Sequence, residues 1–122
     1  MTKKILLVDD SNTVLLMERM ILSQSRYELC TARNGKEGVE RARVEKPDLI
    51  LMDVVMPEMS GLDALAAIRE DAETREIPVI MVTTRSEAAT MESGFARGCN
   101  DYVTKPVNSS ELLTKVRNLL GE

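Results

Sequence analysis

The sequence predicts an α/β fold: five parallel strands in one sheet, with helices on both faces. Three observations predict it. Short apolar runs bounded by polar residues recur along the chain, such as KKILLVDD and DLILMD, and runs of that kind read as strands buried on both faces. Stretches with the apolar period of helices lie between them. Strand and helix then alternate through five units, which implies a doubly wound sheet with right-handed crossovers. The 122 residues suit one domain, residues 1–122, able to bury a real core.

Taken in order, Lys4–Val8 is the first strand. Ser11 or Asn12 can cap a helix running to about Ser23, with Val14, Leu15, Met17, Ile21 and Leu22 as its apolar side. Residues 27–32 form a second, less apolar strand suited to a sheet edge. Asn34-Gly35 breaks it, a helix follows to about Val44, and Pro47 ends that connection. Residues 49–52 are the third strand, residues 56–61 (MPEMSG) a loop, and Leu62, Leu65 and Ile68 mark a third helix. Pro78 precedes the strand at residues 79–82, where a missing N–H is tolerated. Residues 86–97 are helical but weakly apolar, anchored by Met91 and Phe95 and ended by Gly98. Asp101–Thr104 is the last strand. Asn108 with Glu111 resembles a capping box, and Leu112, Leu113, Val116, Leu119 and Leu120 give the fifth helix a buried stripe.

Composition removes several function classes. A net charge of −4 without an aromatic-studded basic patch argues against nucleic-acid binding. No stretch approaches the length of a membrane span, and the N-terminus runs into a strand without a signal peptide, so a cytoplasmic location is expected. Cys30 and Cys99 fit no metal-ligand pattern and read as reduced core thiols. The eight methionines read mostly as core filling. Histidine is absent, which leaves carboxylates, one lysine and a metal for any chemistry. The end at Gly121-Glu122 suits either a stand-alone domain or one taken from a longer protein.

Ligands of open parallel sheets bind at the carboxyl ends of the strands. Asp9 and Asp10 end the first strand, Asp53 the third, Thr83 the fourth, and Lys105 follows the fifth just before Pro106. Converging carboxylates repel unless a cation balances them, and Mg2+ is the hard cation that oxygen ligands suit. Asp9-Asp10 alone reads more readily as a helix cap; the metal reading comes from its company with Asp53, Thr83 and Lys105. A carboxylate can act as a nucleophile toward phosphorus, and phosphoryl transfer needs mainly positioning and charge neutralisation. Lys105 would supply charge and Thr83 a hydroxyl, with Thr84 the competing hydroxyl. Pro106 can take the cis bond and fix a sharp turn.

These residues, with D-x-x-M-P-x-M-x-G from Asp53 to Gly61, make the chain resemble the receiver domain of two-component response regulators, and the single-domain chemotaxis type in particular. The resemblance covers essentially the whole chain. It implies the flavodoxin-like strand order 2-1-3-4-5, which the pattern alone does not supply. It also implies that Asp53 is the phosphoacceptor, that Asp10 ligates Mg2+ directly, and that Asp9 holds metal-bound water. The Val55 carbonyl becomes the third protein ligand. Thr83 becomes the switch hydroxyl, Lys105 the lysine that pairs with the acceptor and then the phosphate, and Tyr102 the aromatic whose rotation reports the change. Mn2+ is an admissible substitute for Mg2+.

The implied partners are a sensor histidine kinase or phosphotransfer protein upstream. Downstream stands an output protein or fused output domain, bound to the face of the fourth helix, last strand and last helix around Arg97, Tyr102 and Lys115. Chemotaxis or motility is one pathway open to such a protein. It is expected as a monomer, with dimerisation on activation left open. Apolar Val55 and cationic Arg85 flank the expected path of hydrolytic water and give nothing to orient it, which predicts slow self-dephosphorylation. A haloacid dehalogenase-like phosphohydrolase would want a second acid at Val55, and a flavin site would want aromatics that are scarce in this chain. A phosphorylation-independent interaction module is the remaining alternative.

Overall fold

The computed structural model describes residues 2–84 and 95–122. The strands β1 (Lys4–Val8), β2 (Glu28–Ala32), β3 (Leu49–Asp53), β4 (Val79–Thr83) and β5 (Asp101–Thr104) form one parallel sheet in the order β2-β1-β3-β4-β5. The chain leaves β1 toward β2 on one side and returns to β3 on the other. That reversal opens a crevice at the carboxyl ends of β1 and β3.

Alternation along the strands divides the core into two layers. Ile5, Leu7, Leu49, Leu51, Ile80, Val82 and Val103 point to one face, which α1 (Asn12–Leu22) and α4 (Ser109–Leu120) cover. Leu6, Val8, Ile50, Met52, Val79 and Met81 point to the other, under α2 (Gly35–Glu45) and α3 (Gly61–Glu70). β3 and β4 are buried throughout, whereas β2 has its only fully buried residue at Ala32, as suits an edge. The helix expected over residues 86–97 lies outside the described residues apart from its end, where Phe95 and Ala96 are helical.

Each of the four described helices begins on a side-chain cap. Ser11 accepts from the Val14 N–H at 3.3 Å, Asn34 from Glu37 at 2.8 Å, Ser60 from Asp63 at 3.2 Å and Asn108 from Glu111 at 2.9 Å. Caps of this kind stabilise by about 1 kcal/mol each. The Asn108 box is only half made, because the Glu111 carboxylate lies 3.9 Å from Lys115 instead.

Two expectations about apolar faces need correction. The buried stripe of α1 is Leu15, Glu18, Ile21 and Leu22; Met17 is partly exposed and Met20 more so. Positions 15, 18 and 22 stack on one side of the helix, and an acid holds the middle one. Phe95, expected as a core anchor, is half exposed with its ring edge-on to Tyr102. No described helix is long and apolar enough to cross a membrane.

Candidate functional site

The crevice is furnished by three strand ends. Asp9 stays attached to the sheet through its N–H, which donates to the Ala32 carbonyl at 3.1 Å. Its Oδ1 accepts from the Ser11 N–H at 2.9 Å, so the turn that starts α1 also holds this carboxylate inward. Asp9 is buried and Asp10 exposed, the alternation expected of neighbours leaving a strand. Asp53 ends β3 opposite Val82. The next residue pins it in place: the Val54 N–H reaches the Val82 carbonyl at 3.0 Å, and the Gly61 N–H reaches the Val54 carbonyl at 2.8 Å. A Cβ on Gly61 would stand 2.0 Å from the Asp53 carbonyl oxygen, so only glycine fits there.

Lys105 approaches from the far side. Its N–H bonds the Thr83 carbonyl at 2.6 Å, and the Lys105–Pro106 bond is cis. Its ammonium lies 3.0 Å from Asp53 Oδ1 and 3.5 Å from Asp9 Oδ2. Carboxylate oxygens of Asp9, Asp10 and Asp53 all fall within 4.8 Å of one another.

Burial pushes the Asp53 carboxyl up to about 6, with Asp9 and Asp10 adding to the rise and the Lys105 hydrogen bond opposing it. Burial also raises Asp9, against the Ser11 N–H and the Lys105 charge. Burial disfavours the Lys105 charge, but the bond to Asp53 and the charges of Asp53 and Asp9 outweigh it and leave the ammonium firmly protonated.

One ammonium against three acids leaves the cluster short of positive charge. Asp9 Oδ2 is buried, and its partner among the described residues is the Lys105 ammonium at 3.5 Å, too loose for a good hydrogen bond. An all-oxygen donor set with a charge deficit and a poorly satisfied buried acceptor fits a hard divalent cation. Asp9, Asp10 and Asp53 are the side chains that could hold it.

The model of the response regulator receiver domain matches residues 5–117. The chain belongs to this family. Receivers are signalling switches of two-component systems and are not metabolic enzymes. Over 118 residues this receiver is 42% identical to the protein PilH of Pseudomonas aeruginosa, covering 97% of this chain and 98% of that one. It superposes on the chemotaxis protein CheY4 of Vibrio cholerae with a TM-score of 0.90 at 31% identity, covering 98% and 99% of the two chains. The receiver domain of the sensor histidine kinase PA1611 from Pseudomonas aeruginosa PAO1 gives a TM-score of 0.90 at 28% identity with full coverage of both chains. That neighbour was solved with a magnesium ion coordinated in its active site cleft.

The other residues expected from the sequence sit on β4, β5 and the elements beside them. Thr83 is buried at the end of β4, opposite Thr104, and its hydroxyl donates to the Thr84 carbonyl at 3.3 Å. Tyr102 sits on β5 opposite Met81, with its ring centroid 6.1 Å from that of Phe95 and 5.4 Å from the Lys115 ammonium. Lys115 also bonds the Tyr102 carbonyl and pairs with Asp101 at 3.2 Å. Arg97 pairs with Asp63 of α3 at 3.3 Å. The Val55 side chain is exposed, and Arg85 lies outside the described residues. An apolar groove of about 360 Å³ opens beside Lys105, walled by Val14, Met17, Pro106 and Val107.

Glu18 is a buried acid of α1 that the apolar stripe read from the sequence does not include. It is 1% exposed, and its Oε1 accepts no hydrogen bond among the described residues. Burial pushes its carboxyl up to about 8, with Asp9 adding to the rise, Lys105 opposing and Asp53 adding again. A charged residue at the centre of an apolar helical stripe was the available signal.

Proposed function

We propose that this receiver accepts a phosphoryl group on Asp53 from a histidine kinase or phosphotransfer protein and uses it to reset its output face. The observation that carries the reading is the Lys105 ammonium 3.0 Å from Asp53 within a cluster of three acids. An Asp53 carboxylate oxygen attacks phosphorus in line, the phosphorus–nitrogen bond of the donor phosphohistidine breaks, and the imidazole leaves with the bonding pair. Asp9, Asp10, Asp53 and the Val55 carbonyl would hold Mg2+, or Mn2+ in its place, which would neutralise phosphoryl charge. Lys105 keeps its proton and shifts its attraction from the carboxylate to a phosphoryl oxygen. The groove at Val14, Met17 and Pro106 gives the donor protein an apolar seat beside that lysine. The chain acts as one cytoplasmic receiver unit, catalysing only its own phosphorylation and dephosphorylation.

Phosphorylation adds charge and acceptor oxygens at Asp53. Thr83 turns its hydroxyl toward them, and Tyr102 moves into the space that opens. The surface of Arg97, Tyr102 and Lys115 then presents a new shape to the output partner. Label from a phosphohistidine donor protein should pass to the native chain and not to Asp53→Asn; a native chain left unlabelled by every donor would contradict the reading. A phosphate mimic should shift the amide resonances of Arg97, Tyr102 and Lys115, and unchanged resonances there would remove the output face. Val55 offers hydrolytic water no polar handle, so the phosphoryl group should outlast seconds and be lost faster in Val55→Asn.

A further inference from the structure

One side chain of α3 holds both members of the Phe95–Tyr102 pair. Arg69, in the last turn of α3, is half-buried, and its four side-chain hydrogen bonds all end on neutral oxygens. Its Nε donates to the Gly98 carbonyl at 2.9 Å, and the Gly98 N–H closes a turn on the Phe95 carbonyl at 3.1 Å. Its Nη2 donates to Asn100 Oδ1 at 3.0 Å, and Asn100 is tied to Val79 of β4 by two bonds of 2.8 and 2.9 Å. Its Nη1 donates to the Ile77 and Arg75 carbonyls at 2.7 and 3.1 Å, which fastens the guanidinium to the loop before β4. Gly98 has a φ of +103°, and a Cβ there would stand 3.0 Å from Arg69 Nε, so this turn fits the guanidinium only with glycine. Phe95 lies just before Gly98 and Tyr102 just after Asn100, and their rings meet edge-on at 6.1 Å.

We propose that Arg69 is a positioning residue of the receiver switch: it holds Phe95 edge-on against Tyr102 and so restrains the ring movement that follows phosphorylation of Asp53. The inference rests on the reading of Asp53 as phosphoacceptor and of Tyr102 as the ring that responds. The planar guanidinium fork reaches three backbone segments at once, in a fixed geometry that the point charge of a lysine does not match. It therefore sets where Gly98 and Asn100 stand relative to each other, and with them where the two rings meet. None of its hydrogen bonds reaches Asp53, Thr83 or Lys105, so its effect on the phosphoryl site passes through the ring pair. A restraint that favours one arrangement of a two-state element lowers the population of the other. Linkage makes the effect reciprocal: a group on Asp53 that draws Tyr102 away works against the restraint and binds more weakly for it.

The test is binding of beryllium fluoride, a phosphate mimic, with Mg2+ present, to the full chain: native, Arg69→Met, Arg69→Lys and Thr74→Val. Calorimetry reads the affinity, and NMR reads the Tyr102 ring. Lysine keeps the charge and loses the fork, so a folding defect in the methionine variant leaves a second one to measure. Thr74→Val controls for simple loosening: Thr74 is buried, and its hydroxyl donates to the Ile68 carbonyl of the same helix at 2.7 Å, away from Gly98 and Asn100. Both Arg69 variants should bind the mimic at least about five-fold more tightly than the native chain, the low end of the usual coupling between two sites. Before the mimic is added, their Tyr102 ring resonances should lie part-way toward the mimic-bound positions of the native chain. Thr74→Val should lower the Tm and leave affinity and Tyr102 resonances unchanged. An affinity unchanged or weakened in a folded Arg69 variant, or the same tightening in Thr74→Val, would overturn the role of Arg69 while leaving those of Asp53 and Tyr102 standing. A native chain whose Tyr102 resonances ignore the mimic would overturn both.

Discussion

At the scale of the residue, the Lys105 ammonium sets the charge state of Asp53. Lys105 is the ammonium that opposes the rise of Asp53, so Lys105→Met should move the Asp53 carboxyl from about 6 to a higher value, read by carbon-detected NMR titration. A carboxyl unmoved or lowered would contradict the pairing. Gly61 matters for another reason. With 2.0 Å between a Cβ there and the Asp53 carbonyl, Gly61→Ala should force β3 or the start of α3 aside. A cost of about 2–4 kcal/mol is expected in denaturant unfolding, together with slower phosphorylation. Asp9, Asp10, Asp53 and Lys105 were legible in the sequence because each stands at the end of an apolar run, and a parallel sheet gathers such ends. Glu18 was not, because a stripe traced by its apolar members steps over an acid in its midst.

At the scale of the element, α1 serves two sides. Its first turn holds Asp9 through the Ser11 N–H, and its buried stripe carries Glu18 into the core. The folded carboxyl of Glu18 lies above its ordinary value of 4.5, at about 8. The native state therefore binds the proton more tightly than the unfolded chain does. The stability this provides is full below about pH 4.5 and is lost as pH rises toward about 8. Glu18→Met should accordingly stabilise the protein by about 1–3 kcal/mol at neutral pH, and progressively less on acidification. Thermal unfolding across that range checks it, and a variant equally stabilised at every pH would contradict the assigned cause. On β5, Tyr102 lies between Phe95 and Lys115 of α4. Strand and helix were both legible from their periodicity. The packing of Phe95 against Tyr102 was not, since it depends on how the end of one helix meets a strand across the chain.

At the scale of the whole molecule, the strand order places three acids at one crevice at the cost of mutual repulsion. The sheet itself was readable from five apolar runs, but its order followed from family resemblance, because parallel strands with similar apolar content do not announce their neighbours. Asp53 adds to the pH dependence in the same sense as Glu18, its contribution to stability being lost between about pH 4 and about pH 6. A cation held by Asp9, Asp10 and Asp53 would relieve the Asp53 part. Mg2+ at ten times its Kd should therefore stabilise the fold by about 1.4 kcal/mol, a rise in Tm of about 3–6 °C. Asp10→Asn should abolish most of that rise, and a variant that keeps it would remove Asp10 from the ligand set. The most direct test of the central claim is the intact mass after incubation with acetyl phosphate, with and without Mg2+, for the native chain and Asp53→Asn. A Mg2+-dependent gain of one phosphoryl group by the native chain, absent from the variant, is the predicted result. An unchanged native mass under every condition, or an equal gain by Asp53→Asn, would contradict the assignment of Asp53 as phosphoacceptor.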